Sequence, residues 1–105
     1  MRIGLVVGKV SLTRVHPSLA GMRYVLALPQ SLSALRGAVA PMPEELVLVD
    51  ELGATPGARI AFSEGGEAAA PFHPHKKPVD AYAACLIDEL TIDERQAAAL
   101  AAAGA

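Results

Sequence analysis

The sequence predicts a mainly β protein, a small five-stranded, OB-like β-barrel with a C-terminal α-helix. Two observations predict this fold class. Five short segments rich in Val, Ile and Leu are separated by Gly, Pro, Ser and Asp residues, which is typical of strands joined by turns. The chain then ends in an alanine-rich segment, residues 91–105, that begins with a helix-capping pattern. Five strands followed by one helix are typical of a partly open barrel.

Length and composition limit the chain to one domain. Its 105 residues can bury a single small core, and we assign residues 1–90 to the barrel and residues 91–105 to a helical extension of the same domain. Apolar residues make up 52% of the chain but aromatic residues only 4%, so the buried surface is aliphatic and lacks the rings that usually anchor a ligand pocket. A small chain with this composition often buries surface against copies of itself.

Charge and cysteine content argue against several classes of protein. A net charge of -2 and a pI of about 5.8 provide no electrostatic attraction to nucleic acid or to an anionic membrane. Lys9 interrupts the first apolar stretch, so we expect neither a signal peptide nor a membrane-spanning helix, which needs ~18 apolar residues. Cys85 is the single cysteine and lies in an apolar run, so we expect a buried, inert thiol and a reducing cytoplasm.

The first strand is predicted over residues 2–15, with both alternating sets of side chains largely apolar. One set holds Ile3, Leu5 and Val7, and the other holds Val6, Val10 and Leu12. A strand covered on both faces fits a barrel wall that also contacts a partner. The second strand is predicted over residues 22–28, and Pro29 stops it.

The rest of the barrel is predicted from turn residues between apolar segments. Residues 30–45 form an extended connection with one helical turn at 33–36. The remaining strands are predicted at residues 46–49, 58–62 and 79–90, and residues 71–78 are predicted to be a loop with little secondary structure. Gly53 and Gly57 permit positive φ in the tight connection before the fourth strand.

The tail is predicted to be a helix over residues 92–103. Thr91 and Glu94 have the spacing of a capping box, and Gly104 ends the helix. Its apolar stripe is weak and consists of Ile92, Gln96, Ala99, Leu100 and Ala103. The helix either packs on its own barrel or docks on a neighbour or cargo, and we favour packing within an assembly of identical chains because so small a face gives little independent affinity.

Candidate catalytic and metal sites are weak. His73 and His75, with His16 elsewhere, lack the three or four ligands at recognisable spacing that a metal site needs, so we expect no metal or cofactor. The carboxylates Asp50, Glu51, Asp80 and Asp88 are candidates for acid–base work. We favour a structural role in which Asp50 and Asp88 accept hydrogen bonds from turn amides at strand ends. No serine or cysteine stands in a recognisable relation to a histidine, so we expect no enzyme.

An OB-like barrel can also bind single-stranded nucleic acid, and this is the alternative function. That activity requires aromatic side chains stacked along a basic groove. The chain has two Phe, two Tyr and no Trp, and its arginines are scattered in sequence.

Three motifs in fixed order carry a resemblance to a known family. They are Gly4-Leu5-Val6-Val7-Gly8-Lys9-Val10, then Val49-Asp50 followed by Gly53-Ala54 and Gly57, and then Pro78-Val79-Asp80-Ala81 followed by Ile87-Asp88. Over roughly residues 1–90 the chain resembles the bacterial microcompartment vertex proteins of the EutN/CcmL type. The resemblance implies a cytoplasmic homopentamer that closes the fivefold vertices of a polyhedral protein shell whose other partners are hexameric shell proteins.

The resemblance also points to particular site residues. It marks Asp50, Gly53, Ala54, Gly57, Pro78 and Asp80 as turn and strand positions of the family motif. The family often has glycine, serine, alanine and arginine after the fourth strand, where this chain has Gly65, Gly66 and Glu67 followed by two alanines. If this loop faces the fivefold axis as a pore loop, five Glu67 carboxylates converge and favour cations over anions.

Overall fold

Five β-strands form the centre of the molecule. In the computed structural model, which describes residues 1–103, the strands are β1 (Arg2–Val10), β2 (Tyr24–Pro29), β3 (Leu46–Val49), β4 (Arg59–Glu64) and β5 (Ala81–Leu86). They close a barrel in the order β1, β2, β3, β5, β4. The predicted barrel is confirmed, and it is closed rather than partly open because β3 and β5 pair in parallel at Val49 and Tyr82. The other neighbouring strands are antiparallel.

The barrel interior is filled by every second side chain of the strands. The fully buried residues include Val6, Val25, Leu48, Ile60 and Phe62. Strand geometry turns successive side chains to opposite faces, which is why the apolar alternation in the sequence becomes one continuous core. Burying an apolar side chain of this size stabilises the fold by roughly 1.5–3 kcal/mol.

Gly4 makes room for the largest of these side chains. A Cβ atom at position 4 would lie 2.9 Å from Cε1 of Phe62, which is closer than real Cβ contacts. Gly4 is itself buried and pairs with Ile60 on β4 and with Pro29 on β2. The first glycine of the N-terminal motif is therefore required by packing in the barrel.

Strand β1 is shorter than predicted. Val10 pairs with Tyr24 at the start of β2, and within residues 1–103 no strand lies beside the exposed residues 11–15. A short 3₁₀ turn at Pro17–Leu19 then leads into β2. The prediction of a strand over residues 2–15 was wrong beyond Val10, because a strand requires backbone partners that local sequence does not reveal. The strand predicted over residues 79–90 likewise ends at Leu86.

The segment after β4 is more ordered than predicted. Gly65–Phe72 forms a 3₁₀ helix, which includes the loop expected at Gly65, Gly66 and Glu67 and the first two residues of the loop expected over residues 71–78. Ala68 is fully buried there and packs with Val49 and Val79 in a second apolar cluster outside the barrel. Partly buried residues around this cluster are Leu19, Met22, Tyr24, Phe72 and Tyr82. The small alanine side chain lets the helix approach the barrel closely.

The connection between β2 and β3 contains the predicted helical turn. Helix α1 spans Leu32–Leu35, and the Ala34 amide donates a hydrogen bond of 3.2 Å to Oγ of Ser31 at its N-terminus. The Met42 amide donates to the Pro29 carbonyl at 2.9 Å, which brings the end of the connection back to β2.

The tail helix is confirmed, but its cap is different. Helix α2 spans Glu94–Ala103, and Oδ1 of Asp93 accepts a hydrogen bond of 3.0 Å from the Gln96 amide. The predicted cap at Thr91 was wrong, since Asp93 stands one residue before the first helical turn and meets the amide that a cap must satisfy. The predicted end of the helix at Gly104 lies outside the described residues.

Helix α2 extends away from the barrel. Leu100 is 65% exposed, and an ion pair of 2.5 Å joins Glu94 to Arg36 in the connection between β2 and β3. The molecule is accordingly elongated, with extents of 49 × 26 × 23 Å. Within residues 1–103, neither helix is long and apolar enough to cross a membrane.

Candidate functional site

The outer side of β1 is apolar, like its inner side. We call outer β1 face the outward side chains of β1 and of its two neighbouring strands, namely Ile3, Leu5, Val7, Leu28, Arg59 and Ala61. Strand register places Leu28, Leu5 and Arg59 in one row and Ile3 and Ala61 in the next. Val7 is 42% exposed, although it is an aliphatic side chain in a strand. Ile3, Leu5, Leu28 and Ala61 are half-buried. Aliphatic side chains gathered on the outward side of a barrel strand make this face a candidate contact site.

Cys85 lies beside this face rather than in the core. The prediction of a buried thiol was wrong, since Cys85 is exposed. It pairs with Ala61, whereas Ala83 pairs with Phe62, so a bulge at Ala84 changes which residues of β5 face outward. The row that begins with Ile3 and Ala61 therefore continues to Cys85.

Asp50 organises the glycine-rich turn between β3 and β4. Its buried carboxylate accepts hydrogen bonds from the Leu52 amide at 3.0 Å and from the Ala54 amide at 2.7 Å. Nε of Arg23 donates to the same carboxylate at 3.0 Å. The prediction that Asp50 accepts hydrogen bonds from turn amides is confirmed. Gly53 has a φ of 82°, a conformation that favours glycine.

The same turn binds to the N-terminal strand. The Gly57 amide donates to the Val6 carbonyl at 2.8 Å, and the Val6 amide donates to the Ala58 carbonyl at 2.9 Å. Gly57 has a φ of 93° and leads directly into β4. The first and second sequence motifs therefore meet in the structure through backbone hydrogen bonds.

The third motif joins the end of β4 to the start of β5. The Gly65 amide donates to the Asp80 carbonyl at 2.9 Å, while the Asp80 side chain and Pro78 are exposed. The Tyr82 hydroxyl donates to Oε1 of Glu51 at 2.9 Å. Burial raises the pKa of the Tyr82 phenol, and the hydrogen bond to Glu51 raises it further.

The predicted pore loop begins the 3₁₀ helix. Gly65 has a φ of 69°, and Gly66 and Glu67 are exposed, whereas the next residue, Ala68, is fully buried. Adjacent residues therefore have opposite environments. Glu67 is directed to the surface of the single chain, and Ala68 attaches the helix to the barrel.

An arginine network precedes this loop, and sequence reasoning did not find it. Nε of Arg2 donates to Oε1 of Glu64 at 2.6 Å, and Nη2 donates to Oε1 of Glu44 at 3.2 Å. These hydrogen bonds raise the pKa of Arg2, that with Glu64 most, and hydrogen bonding to Arg2 lowers the pKa of Glu64. The network links the long connection to the ends of β1 and β4, and its bond between Arg2 and Glu64 weakens when acid protonates Glu64.

The candidate catalytic carboxylates do not form an acid–base pair. Asp50 is buried in its turn and Glu51 bonds to Tyr82. Asp88 is exposed, and within residues 1–103 no turn amide donates to it, so the prediction of such a bond was wrong for this residue.

The histidines lie apart from one another or in solvent. His73 and His75 are exposed, and Nδ1 of His16 lies 2.7 Å from Oγ of Ser18. In the part of the chain that the structure describes, no three His, Cys, Asp or Glu side chains come together as a metal site.

The four aromatic side chains are packed against the protein. Phe62 fills the barrel, and Phe72, Tyr24 and Tyr82 belong to the second apolar cluster. The rings of Phe72 and Tyr82 meet edge to face with their centroids 5.6 Å apart. This placement leaves no row of exposed rings, within residues 1–103, on which bases of a single strand could stack.

Comparison with known proteins identifies the family. The family model described as "Ethanolamine utilisation protein EutN/carboxysome" matches residues 1–88. The carboxysome shell vertex protein CcmL of Gloeobacter violaceus is 33% identical over 95 residues, which are 90% of either chain. The chain therefore belongs to the EutN/CcmL family, and the resemblance that its three motifs carry is confirmed.

Solved structures share the fold. The structure of Gloeobacter violaceus CcmL matches with a TM-score of 0.77 and 30% identity over 89% of this chain and 91% of that one. CcmL of a Nostoc species matches with a TM-score of 0.74 and 26% identity over 86% and 92%. The GrpN pentameric microcompartment shell protein from Rhodospirillum rubrum, 24% identical over 88% and 98%, has the same fold with a TM-score of 0.71. These relatives support the shell interpretation and not the nucleic-acid alternative.

Proposed function

We propose that this chain is a structural protein whose five copies form a ring that caps the fivefold vertices of a bacterial microcompartment shell in the cytoplasm. One observation carries the proposal. A carboxysome shell vertex protein is similar to this chain over 90% of both sequences, and its solved structure has the same barrel. Hexameric shell proteins are the neighbours that such a ring requires, because a flat hexagonal layer closes only when fivefold units occupy its corners.

The chain has the physical requirements of a ring subunit. Identical subunits that contact head to tail close into a ring when the rotation per subunit divides a full turn, and each contact uses two different faces of the chain. The outer β1 face supplies one apolar surface for this contact. The Arg2 network and the Asp50 turn fix the ends of the strands, so that the barrel can act as a rigid block.

The proposal includes no catalytic role. The charged residues that sequence analysis considered for chemistry have structural partners or lie in solvent: Asp50 holds a turn, Glu51 binds Tyr82, and His73 is exposed.

We also propose that Gly65, Gly66 and Glu67 face the fivefold axis of the ring. Glu67 is exposed at the first turn of the 3₁₀ helix, and buried Ala68 holds that turn against the barrel. Five such carboxylates around an axis form an anionic ring that admits cations in preference to anions.

The oligomeric state tests the proposed function. Native mass spectrometry of the purified chain is expected to give a particle of about 54 kDa, five times the 10.8 kDa chain. Added to hexameric shell proteins of the same cell, the ring is expected to convert open sheets into closed shells in electron micrographs. A chain that remains at 10.8 kDa at all concentrations, or sheets that stay open, would contradict the proposal.

A further inference from the structure

A groove lies where the end of β1 meets the start of β2. Residues 9–12 and 15 line one side of this β1–β2 groove, and residues 19 and 21–24 line the other. Its volume is about 400 Å³, which is within the range of small-molecule sites in proteins. None of the residues of the outer β1 face or of the loop at Gly65, Gly66 and Glu67 lines it. The groove is therefore a separate feature of the chain.

The apolar wall of the β1–β2 groove is incompletely covered by the chain itself. Leu12 is 48% exposed and Val15 is 37% exposed, although both side chains are aliphatic. Leu19 and Met22, which also line the groove, are half-buried. In the part of the chain that the structure describes, no backbone hydrogen bond joins residues 11–15 to another element, so this loop can adjust to a ligand. An aliphatic group in the groove would remove all of these side chains from water.

The charged groups of the β1–β2 groove are cations. Lys9 and Arg23 line it and no acidic residue does, although the chain has more acidic than basic residues. Arg23 lies two residues from Val25, the register partner of Lys9, so both cations belong to the same face of the paired strands. Arg23 donates to the buried carboxylate of Asp50, which balances its charge. Within residues 1–103, Lys9 forms no ion pair and is left as the uncompensated charge of the groove.

We propose that the β1–β2 groove binds a small aliphatic carboxylate, whose carboxylate pairs with the Lys9 ammonium and whose hydrocarbon chain covers Leu12 and Val15. One uncompensated cation matches the single negative charge of a monocarboxylate. A phosphate dianion fits less well, because it would place a second charge beside aliphatic side chains with no cation to balance it. The site lies within one chain, so the inference does not depend on the proposed ring.

Titration with carboxylates of increasing chain length tests this site. Acetate, butyrate and hexanoate are added to the full chain labelled with ¹⁵N, and the shifts of its backbone amides give both the position and the Kd of binding. Amides of residues 11–15, Gly21 and Met22 are expected to shift. The Kd is expected to fall about fourfold for each methylene that enters the groove, so hexanoate binds roughly fifteenfold more tightly than butyrate. Hexan-1-ol, which has the same hydrocarbon chain without the charge, is expected to bind about two- to fivefold more weakly than hexanoate.

Two variants separate the charged and the apolar parts of the site. Lys9→Met removes the ammonium group and is expected to weaken hexanoate about two- to fivefold while leaving hexan-1-ol unchanged. Leu12→Asn removes an exposed part of the apolar wall and is expected to reduce the gain in affinity from butyrate to hexanoate. Lys76→Met is the matched control, because it makes the same change in charge at an exposed position outside the groove. Circular dichroism of each variant shows whether its barrel is folded.

The outcomes distinguish this site from the proposed ring. Hexanoate that binds no more tightly than butyrate, or that shifts amides outside the groove only, overturns the site. Equal weakening by Lys9→Met and Lys76→Met, or inorganic phosphate that shifts the same amides as strongly as hexanoate, overturns the assignment of a carboxylate to Lys9. A ring that does not bind hexanoate overturns the site and leaves the proposed function standing, whereas a monomeric chain that binds it has the opposite consequence.

Discussion

At the scale of single residues, two residues of the same type have sharply different roles. Asp50 is a buried carboxylate whose hydrogen bonds determine the shape of a turn, while Asp88, also at the end of a strand, is exposed. A carboxylate that accepts several amide hydrogen bonds in place of water is costly to remove, because its donors remain buried without a partner. The contribution of each acidic residue thus depends on its donors rather than on its type.

Substitution at Asp50 tests this contrast. Asp50→Asn keeps the shape of the side chain but presents an amide group to donors on Arg23, Leu52 and Ala54, and is expected to lower the free energy of unfolding by roughly 2–4 kcal/mol. Asp88→Asn is the matched control and is expected to change it by less than about 0.5 kcal/mol. Urea unfolding at one fixed protein concentration measures both variants. Equal effects would show that Asp50 does not hold the turn.

At the scale of elements, β1 is the strand around which the molecule is built. It pairs with β2 and β4, receives the turn at Gly57, and presents apolar side chains to both of its faces. Helix α2 is the opposite case, since it is capped and regular but has little contact with the barrel. An isolated helix of this length is marginal in water, and most helices in proteins depend on tertiary packing. A helix capped by Asp93 and otherwise exposed therefore suits a contact with another copy.

Truncation after Leu90 tests the position of α2 in the ring. We expect removal of residues 91–105 to lower the Tm of the ring, by roughly 4–8 °C for each kcal/mol of lost packing, and to leave the dissociated chain nearly unchanged. Glu94→Gln is the control, because it removes the exposed ion pair to Arg36 and keeps the helix. An unchanged ring with an unchanged Tm would contradict packing within the ring and favour docking on another protein.

The apolar alternation and the turn residues of the sequence predict most of the elements, because these signals are local. The strand over 46–49 and the turn at Asp50 need only neighbouring residues to be recognised. Strand ends were less predictable, since β1 stops where its partner β2 begins at Tyr24. Cys85 was misplaced because the bulge opposite Ala61 depends on the partner strand.

The polar groups of the candidate site were the least predictable. Arg2 and Glu64 are 62 positions apart in sequence, so their contact appears only when β1 and β4 pair. Gln30 and Arg59 carry no local signal, since an arginine in a strand is usually solvated. Within residues 1–103 their side-chain atoms Oε1 and Nε are buried without a hydrogen-bond partner, which only the folded structure reveals.

At the scale of the whole molecule, a symmetric ring repeats each feature of the chain around one axis. Five weak contacts must all form before a ring closes, so ring formation depends steeply on the affinity of one repeated contact. A side chain near the axis is likewise repeated at short distance, and its charge is concentrated there. The proposed positions of the outer β1 face and of Glu67 therefore have different consequences. The first affects closure of the ring, and the second affects which ions pass along its axis.

Cross-linking tests the position of Glu67. Glu67→Cys in a Cys85→Ser background is expected to form disulfides between chains on mild oxidation, because thiols around a narrow axis come within bonding distance. Glu45→Cys in the same background is the control at an exposed position before β3 and is expected to remain a single chain on a denaturing gel. If rings of the Glu67→Cys variant yield no linked chains, this loop lies at the outer rim instead.

The 3₁₀ helix also places a restricted position and an unrestricted position side by side. Val49 and Tyr82 form the parallel pairing between β3 and β5, and buried Ala68 packs in the cluster that covers this narrow seam. A larger side chain at position 68 would force the seam apart. Glu67, one residue earlier, is exposed and bears no such restriction. A substitution at position 67 can therefore change the charge of this turn without disturbing the packing of Ala68 against the barrel.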